Sequence, residues 1–240
     1  MFEKLEKMQI FSLGILLALG MIGATTVISS GISKNEISVT GSAYQVIKSD
    51  SGTLDFSISV TRPTKKEAYE VAQSQIKLVE KYLKDNNITK YEIKTVNGYY
   101  NYKRDYRTGG YTNEIASYSL FQPFTISSED VELIKKISND ITGLINQGAD
   151  IVVERPSYDY SKLPKLKVAL LEEASKDAQK RATAMLKPTH NRVGKVKSVR
   201  MGVFQITPVD STNVSDMGIN DTSTIDKKVT AVANVSFGVK

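Results

Sequence analysis

From Val229 to Val239 every second residue is apolar: Val229, Ala231, Ala233, Val235, Phe237 and Val239. Side chains on a strand point alternately to its two faces, so this run lays one face on a core and leaves the other to a wetter surface. The same period appears in Thr53–Val60, where Leu54, Phe56, Ile58 and Val60 alternate with Thr, Asp, Ser and Ser. Ile37 and Val39 predict a shorter strand before it, which Gly41-Ser42 is expected to break. Strands with one wet face belong to antiparallel rather than parallel sheets.

The period then changes. Thr64-Lys65-Lys66-Glu67 has the spacing of a capping box, and Ala68, Val71, Ala72, Ile76, Val79, Tyr82 and Leu83 recur at three and four, the stripe of an amphipathic helix ending near Asn86-Asn87. Strands are predicted over about 91–102 and 111–126, with Pro123 pushing the second towards an edge or a bulge. Gly109-Gly110 supplies the positive-φ positions of a hairpin turn between them. A second half repeats the rhythm but not the residues. A cap over Ser127–Asp130 precedes a helical stripe of Val131, Ile134, Ile137, Ile141, Leu144 and Ile145, which Gly148 ends. Ile151–Val153 is a short strand, and a long helix spans Leu163 to Leu186, opened by Pro164 and stopped by Pro188. Val193 to Ile206 is a strand region broken by Gly202, and 208–226 is polar and aperiodic, a loop. The expected fold is α+β: a mainly antiparallel sheet with packed amphipathic helices.

The first thirty-five residues are a different object. No residue from Gln9 to Ser33 is charged, and about 20 apolar residues span the roughly 30 Å hydrocarbon layer as a helix. Two readings compete. An uncleaved transmembrane anchor over residues 10–29 fits the length; a cleaved signal peptide has a shorter apolar region and a small-x-small site. Span length favours the anchor, and either reading exports the rest. The expected organisation is an N-terminal anchor over 1–35 and an exported domain over 36–240, on a single-pass protein of the cell membrane. Gly14 and Ala18 have the small-xxx-small spacing of helix pairing.

Composition removes several chemistries. The chain of 240 residues has no cysteine and one histidine, His190. Disulfides, thiolate nucleophiles, Fe–S clusters and multi-histidine metal sites are excluded. The net charge of +6 is dispersed and interleaved with acids, unlike a phosphate-tracking groove, so no nucleic-acid partner is expected. No Walker loop, GxSxG or framed GxGxxG is present. Glu172 and Glu173 are adjacent on a helix, about 100° apart, and cannot flank a substrate. His190 is a lone loop histidine, and the spacing of Asp216, Asp221 and Asp226 is not that of an EF-hand. No enzyme activity and no cofactor is expected.

One stretch stands out, Asn97–Asn113, NGYYNYKRDYRTGGYTN, with five tyrosines and four charges. Tyr99, Tyr100, Tyr102, Tyr106 and Tyr111, with Lys103, Arg104 and Arg107 beside them, are the candidate interface or ligand contacts. Three readings stay open: a plain hairpin, since tyrosine suits strands; a protein interface, where Tyr and Arg are enriched; and an aromatic platform stacking a sugar or base.

The order of these motifs resembles the SIMPL-domain family of envelope and periplasmic proteins, long regarded as a domain of unknown function. The likeness begins at Ile37-Ser38-Val39-Thr40-Gly41, runs through the turn at Asp50 into Leu54–Val60 and Glu67-Ala68, and resumes at Thr95, Gly110-Tyr111 and Gly148-Ala149. It is densest along Ala169–Ala182 and continues through Gly194 to the last strand, about residues 36–240 in all. Ser49 stands where the family usually has Pro before the Asp turn, and is expected to loosen that turn. The resemblance implies an exported protein with no established catalytic residues; some members are associated with ring- or channel-like homo-oligomers and with envelope or oxidative stress. The expected function is a membrane-anchored, extracytoplasmic, non-enzymatic role through homo-oligomeric assembly or binding of a protein partner. The alternative is a ligand-binding module using the hairpin 97–113.

Overall fold

A computed structural model describes residues 35–240. The anchor expected over residues 10–29 and the Gly14/Ala18 pair lie outside them; among the described residues no helix is long and apolar enough to cross a membrane. Among the described residues the fold is α+β with three α-helices and mostly antiparallel strands. The described residues divide into two compact units, a larger one of residues 42–173 and 202–232, and a smaller one of residues 35–41, 174–201 and 233–240.

In the larger unit β2 (Ser51–Arg62) is central. It pairs antiparallel with β5 (Tyr111–Ser128) from Gly52↔Ser128 to Arg62↔Tyr118. On its other side lie β6 (Ile151–Val153) and β7 (Ser157–Asp159). The far edge of β5 is shared by β3 (Tyr91–Ile93) and β4 (Asn97–Arg104). The alternation read in the sequence is the burial pattern: Leu54, Phe56, Ile58 and Val60 are all buried. Phe56 and Phe124 face each other in register and stack with ring centroids 5.0 Å apart. Helix α1 (Lys65–Asp85) covers this face with Ala68, Ala72, Val79 and Leu83, and α2 (Val131–Asp140) adds Ile134 and Ile137.

Both helices start where their caps dictate. The Thr64 hydroxyl accepts from the Glu67 N–H at 3.2 Å, and the Asp130 carboxylate accepts from the N–H groups of Glu132 and Leu133, each at 3.1 Å. After α2 a 3₁₀ turn, Ile141–Gln147, ends at Gly148 with φ of 89°. Buried Gln75 of α1 is fully engaged: its amide donates to Gly148 O at 3.0 Å and to Asp150 Oδ2 at 3.1 Å, and accepts from Asp150 N at 3.0 Å.

Pro123 is neither at a sheet edge nor in a bulge, contrary to expectation: β5 runs through it between β2 and the β3–β4 edge. The predicted strand over 91–102 breaks beside it instead, leaving Lys94–Val96 between β3 and β4. Lys94 N donates to Pro123 O at 3.0 Å. The return bond, which a proline cannot give, is replaced by the Gln122 side chain, whose Nε2 donates to Lys94 O at 2.6 Å.

The polar segment 208–226 is not wholly a loop. Within it β10 (Ile219–Asn220) pairs parallel with β9 (Gln205–Pro208). Strand β9 pairs in turn with the first part of β11 (Asp226–Val239), from Lys227↔Pro208 to Thr230↔Gln205. Gly202 separates β9 from β8 (Val193–Met201), as the sequence predicted.

In the smaller unit β8 pairs antiparallel with the last part of β11, from Ala233↔Met201 to Val239↔Val193. Strand β1 (Glu36–Lys48) does not break at Gly41; it runs 13 residues. Its Ser38 and Thr40 hydroxyls reach Ser236 and Asn234 of β11, each at 2.6 Å. Gly41 serves a close approach rather than a break. A Cβ there would overlap the backbone of Ala174 and Ala178 in α3 (Leu163–Leu186), with Ala178 Cα only 2.8 Å away. Ala174, Ala178 and Ala182, four apart and all buried, present the smallest possible side chains on that face.

Candidate functional site

The tyrosine-rich stretch is a hairpin arm. Strands β4 and β5 pair from Asn97↔Phe121 to Arg104↔Tyr111, with β5 bulging twice towards the tip. At the tip Gly109 alone supplies positive φ, 70°, where the pair Gly109-Gly110 was expected to. Asp105 N donates to Gly110 O at 2.9 Å and Gly109 N to Asp105 O at 2.8 Å. The Asp105 carboxylate accepts from Arg107 N at 2.9 Å and Thr108 Oγ1 at 3.1 Å. Those bonds, the Arg107 one first, hold its pKa below the usual carboxylate value.

The tyrosines do not share one face. Tyr99 stacks on Phe121 at 5.7 Å between centroids, whereas its neighbour Tyr100 sits edge-on to Tyr118 at 5.0 Å, on the opposite side of the strand. Tyr102 lies opposite Ile115 beyond the first bulge. The Arg104 guanidinium lies 5.0 Å from the Tyr111 ring centroid, and its Nη2 donates to the Tyr111 hydroxyl at 3.2 Å. Lys103 pairs with Glu114 at 3.0 Å. Tyr106, at the tip, is fully exposed. The Arg107 side chain has no carboxylate partner among the described residues. The arm thus presents two aromatic faces and an open cation rather than a single stacking platform.

At the base of this arm lies a cleft of ≈ 580 Å³ that the sequence reading missed. Its walls are Lys65, Lys66 and Tyr69 of α1, Val96 just before β4, Asn97 and Gly98 of β4, and Tyr118 and Leu120 of β5. Tyr118 leans across β4 because Gly98 has no side chain; a Cβ there would collide with the Tyr118 hydroxyl and lie 2.7 Å from its Cζ. Lys65 Nζ stands 5.8 Å over the Tyr118 ring. The one signal in the sequence was an isolated glycine inside a strand pattern, which marks close approach. A second cleft of ≈ 690 Å³ lies along α2 and is lined by Glu132, Lys135, Tyr158, Asp210, Thr224 and Asp226 among others.

The remaining polar groups tie elements together. Asp55 accepts from the Thr125 hydroxyl and from Lys94 Nζ at 3.2 Å, and the Thr125 bond chiefly holds its pKa below the usual carboxylate value. Asp50 accepts from Ser161 N at 2.7 Å and Oγ at 2.6 Å, with the same result, led by the Ser161 hydroxyl. Lys227 is buried, its ammonium donating to Tyr158 O, and burial pushes its pKa down. Asp221 accepts from Ser223 N at 2.9 Å and from the Thr224 hydroxyl. His190 closes the turn after α3 with φ of 59°. Among the described residues no three His, Cys, Asp or Glu side chains gather as a metal site.

No curated protein matches this chain. Residues 37–237 match the family SIMPL, described as a protein of unknown function (DUF541). The matched span reaches every strand and helix described above, leaving out only Glu36 of β1 and Gly238-Val239 of β11, and the chain belongs to the SIMPL family.

Proposed function

We propose that this SIMPL-family chain is a membrane-anchored, extracytoplasmic protein that works without catalysis, by assembling with copies of itself or by binding a protein partner in the cell envelope. The observation that carries this reading is the β4–β5 arm. Strand β4 pairs only with β5 among the described residues, so its outer edge offers a row of backbone donors and acceptors. Along it Tyr99, Tyr100 and Tyr102 are exposed, with Tyr106, Arg107 and Tyr111 towards the tip. Aromatic and arginine side chains of this kind concentrate binding energy at interfaces.

Light scattering on a sizing column gives the mass of residues 36–240. A discrete oligomer is expected, one that dissociates when Tyr99 and Tyr102 are both replaced by Ser. A strict monomer at micromolar concentration removes self-assembly as the mode of action. The second reading, a ligand-binding module, is favoured by the Arg104–Tyr111 pair and the open Arg107 side chain at the tip. It fails if alanine at Tyr100, Tyr102 and Tyr106 leaves binding of a sugar panel unchanged.

A further inference from the structure

We infer that the cleft at the base of the arm is a binding site for a small organic monocarboxylate with a flat apolar body. It is a different surface from the arm's edge and tip, and it does not depend on self-assembly. Its volume of ≈ 580 Å³ falls within the range, roughly 300–1,000 Å³, of small-molecule sites. Its walls are mostly apolar: Val96, Leu120 and the rings of Tyr69 and Tyr118. Two polar groups face these walls without protein partners of their own kind. Tyr118 is more than nine-tenths buried, yet its hydroxyl makes no hydrogen bond among the described residues. Among the described residues the sealed polar atoms without a partner are Ser49 Oγ and Tyr82 Oη, so the Tyr118 hydroxyl opens on the cleft, where a ligand oxygen takes the place of water. The Lys65 ammonium has no carboxylate within ion-pair distance among the described residues; it hangs over the Tyr118 ring instead. Lys66, which also lines the cleft, already has a carboxylate, Glu70, at 3.8 Å.

The chemistry of the occupant follows from this pairing. One open cation and one open hydroxyl on an apolar wall match a single carboxylate, with one oxygen for each donor. A phosphate dianion brings more acceptors and more hydration than two donors can replace. The start of α1, whose N-terminal end carries partial positive charge, lies at the same mouth and favours the same sign. A flat ring suits the walls, because aromatic side chains stack or pack edge-on with rings at small cost in shape. Gly98 makes the site, since any side chain there displaces the Tyr118 ring.

The test is equilibrium dialysis of 2-naphthoate against the purified full-length chain, with 2-naphthylmethanol as the neutral counterpart. The chain has no tryptophan, so naphthalene emission reports the bound and free probe cleanly. Saturable one-site binding is expected, with the alcohol about tenfold weaker and Lys65→Gln about tenfold weaker for the acid alone. Tyr118→Phe keeps the ring and removes only the hydroxyl; it is expected to weaken the acid several-fold. Arg107→Ala, at the far end of the arm, is expected to change nothing. Three results overturn the assignment: no saturable binding, equal binding of acid and alcohol, or indifference to both Lys65→Gln and Tyr118→Phe in variants whose circular dichroism is unchanged. Sensitivity to Arg107→Ala alone moves the site to the hairpin tip, and so also overturns it. None of these outcomes bears on the mass of the assembly, so this assignment and the proposed function stand or fall separately.

Discussion

Ser49 shows how a single departure from a family pattern is absorbed. A proline there has no N–H, but Ser49 N donates to Ile225 O at 2.9 Å, and Asp50 N donates to Asp159 O at 3.0 Å. The turn is therefore tied down on both residues rather than loosened. The hydroxyl that comes with serine is buried and has no partner. Ser49→Ala keeps the backbone bond and removes the unsatisfied group, so it is expected to be neutral or to stabilise by up to about 1 kcal/mol in urea unfolding. Ser49→Pro loses the bond to Ile225 and is expected to destabilise. Gly41 gives the opposite lesson. Its substitution by Val drives two methyls into the Ala174–Ala178 backbone, and a loss of about 1–3 kcal/mol is expected from the same measurement. The sequence marked Gly41 as a break because glycine usually punctuates strands. What it could not show was that a helix 133 positions away, at Ala174, would lie against it. Gly98 signalled a close approach but not to what, for the same reason. Its meaning lies in Tyr118, which only the pairing of β4 with β5 brings near.

Elements whose signals are local were legible, and those whose signals depend on a neighbour were not. Helix α3 has the bounds Leu163–Leu186 that Pro164 in its first turn and Pro188 beyond its end predict, and β6 has the bounds Ile151–Val153. The cap at Asp130 is equally local, and Asp130→Ala is expected to cost about 1 kcal/mol, read as a lower urea midpoint. Strand β5 is the contrasting case. Proline lacks the donor that a ladder needs, so an edge or a bulge was the reasonable expectation. The sheet instead keeps Pro123 inside and interrupts the neighbouring strand at Lys94–Val96, with the Gln122 side chain supplying the missing donor. That compensation requires an amide one residue away on a nearly buried side chain, which no propensity records. Gln122→Ala leaves the Lys94 carbonyl without that donor, and a loss of about 1–3 kcal/mol is expected. Because Lys94 also carries the ammonium on Asp55, the variant is further expected to speed amide hydrogen exchange at Lys94 more than at residues of β2. The tyrosine arm was legible as a hairpin, but not the way its rings divide between two faces, which alternation and the bulges on β5 decide together.

At the scale of the whole molecule, stability against acid follows from a few carboxylates that fasten separate elements. Asp50 joins the end of β1 to the start of α3 through Ser161, and Asp55 joins β2 to β5 through Thr125 and to Lys94 beside β3. Both carboxylates have pKa values below the unperturbed one, held there first by the Ser161 and Thr125 hydroxyls. A carboxylate with a depressed folded-state pKa binds protons less readily in the native than in the unfolded chain. Its contribution is fully present above the unfolded value of about 3.9 and is lost as pH falls through the lower folded value. The urea midpoint is therefore expected to fall steeply below about pH 4. The Asp50→Asn/Asp55→Asn double variant starts less stable at neutral pH, because a neutral amide holds Lys94 and the hydroxyls more weakly than a carboxylate does. Over the same acid range it has less to lose, so its midpoint is expected to fall less than that of the unaltered chain. Parallel acid limbs for the two proteins count against these carboxylates as the fasteners. Asp105, whose bonds stay within the hairpin tip, is the comparison: its pKa is also depressed, so by the same linkage Asp105→Asn is expected to remove its own share of the acid limb and to leave the share of Asp50 and Asp55 in place.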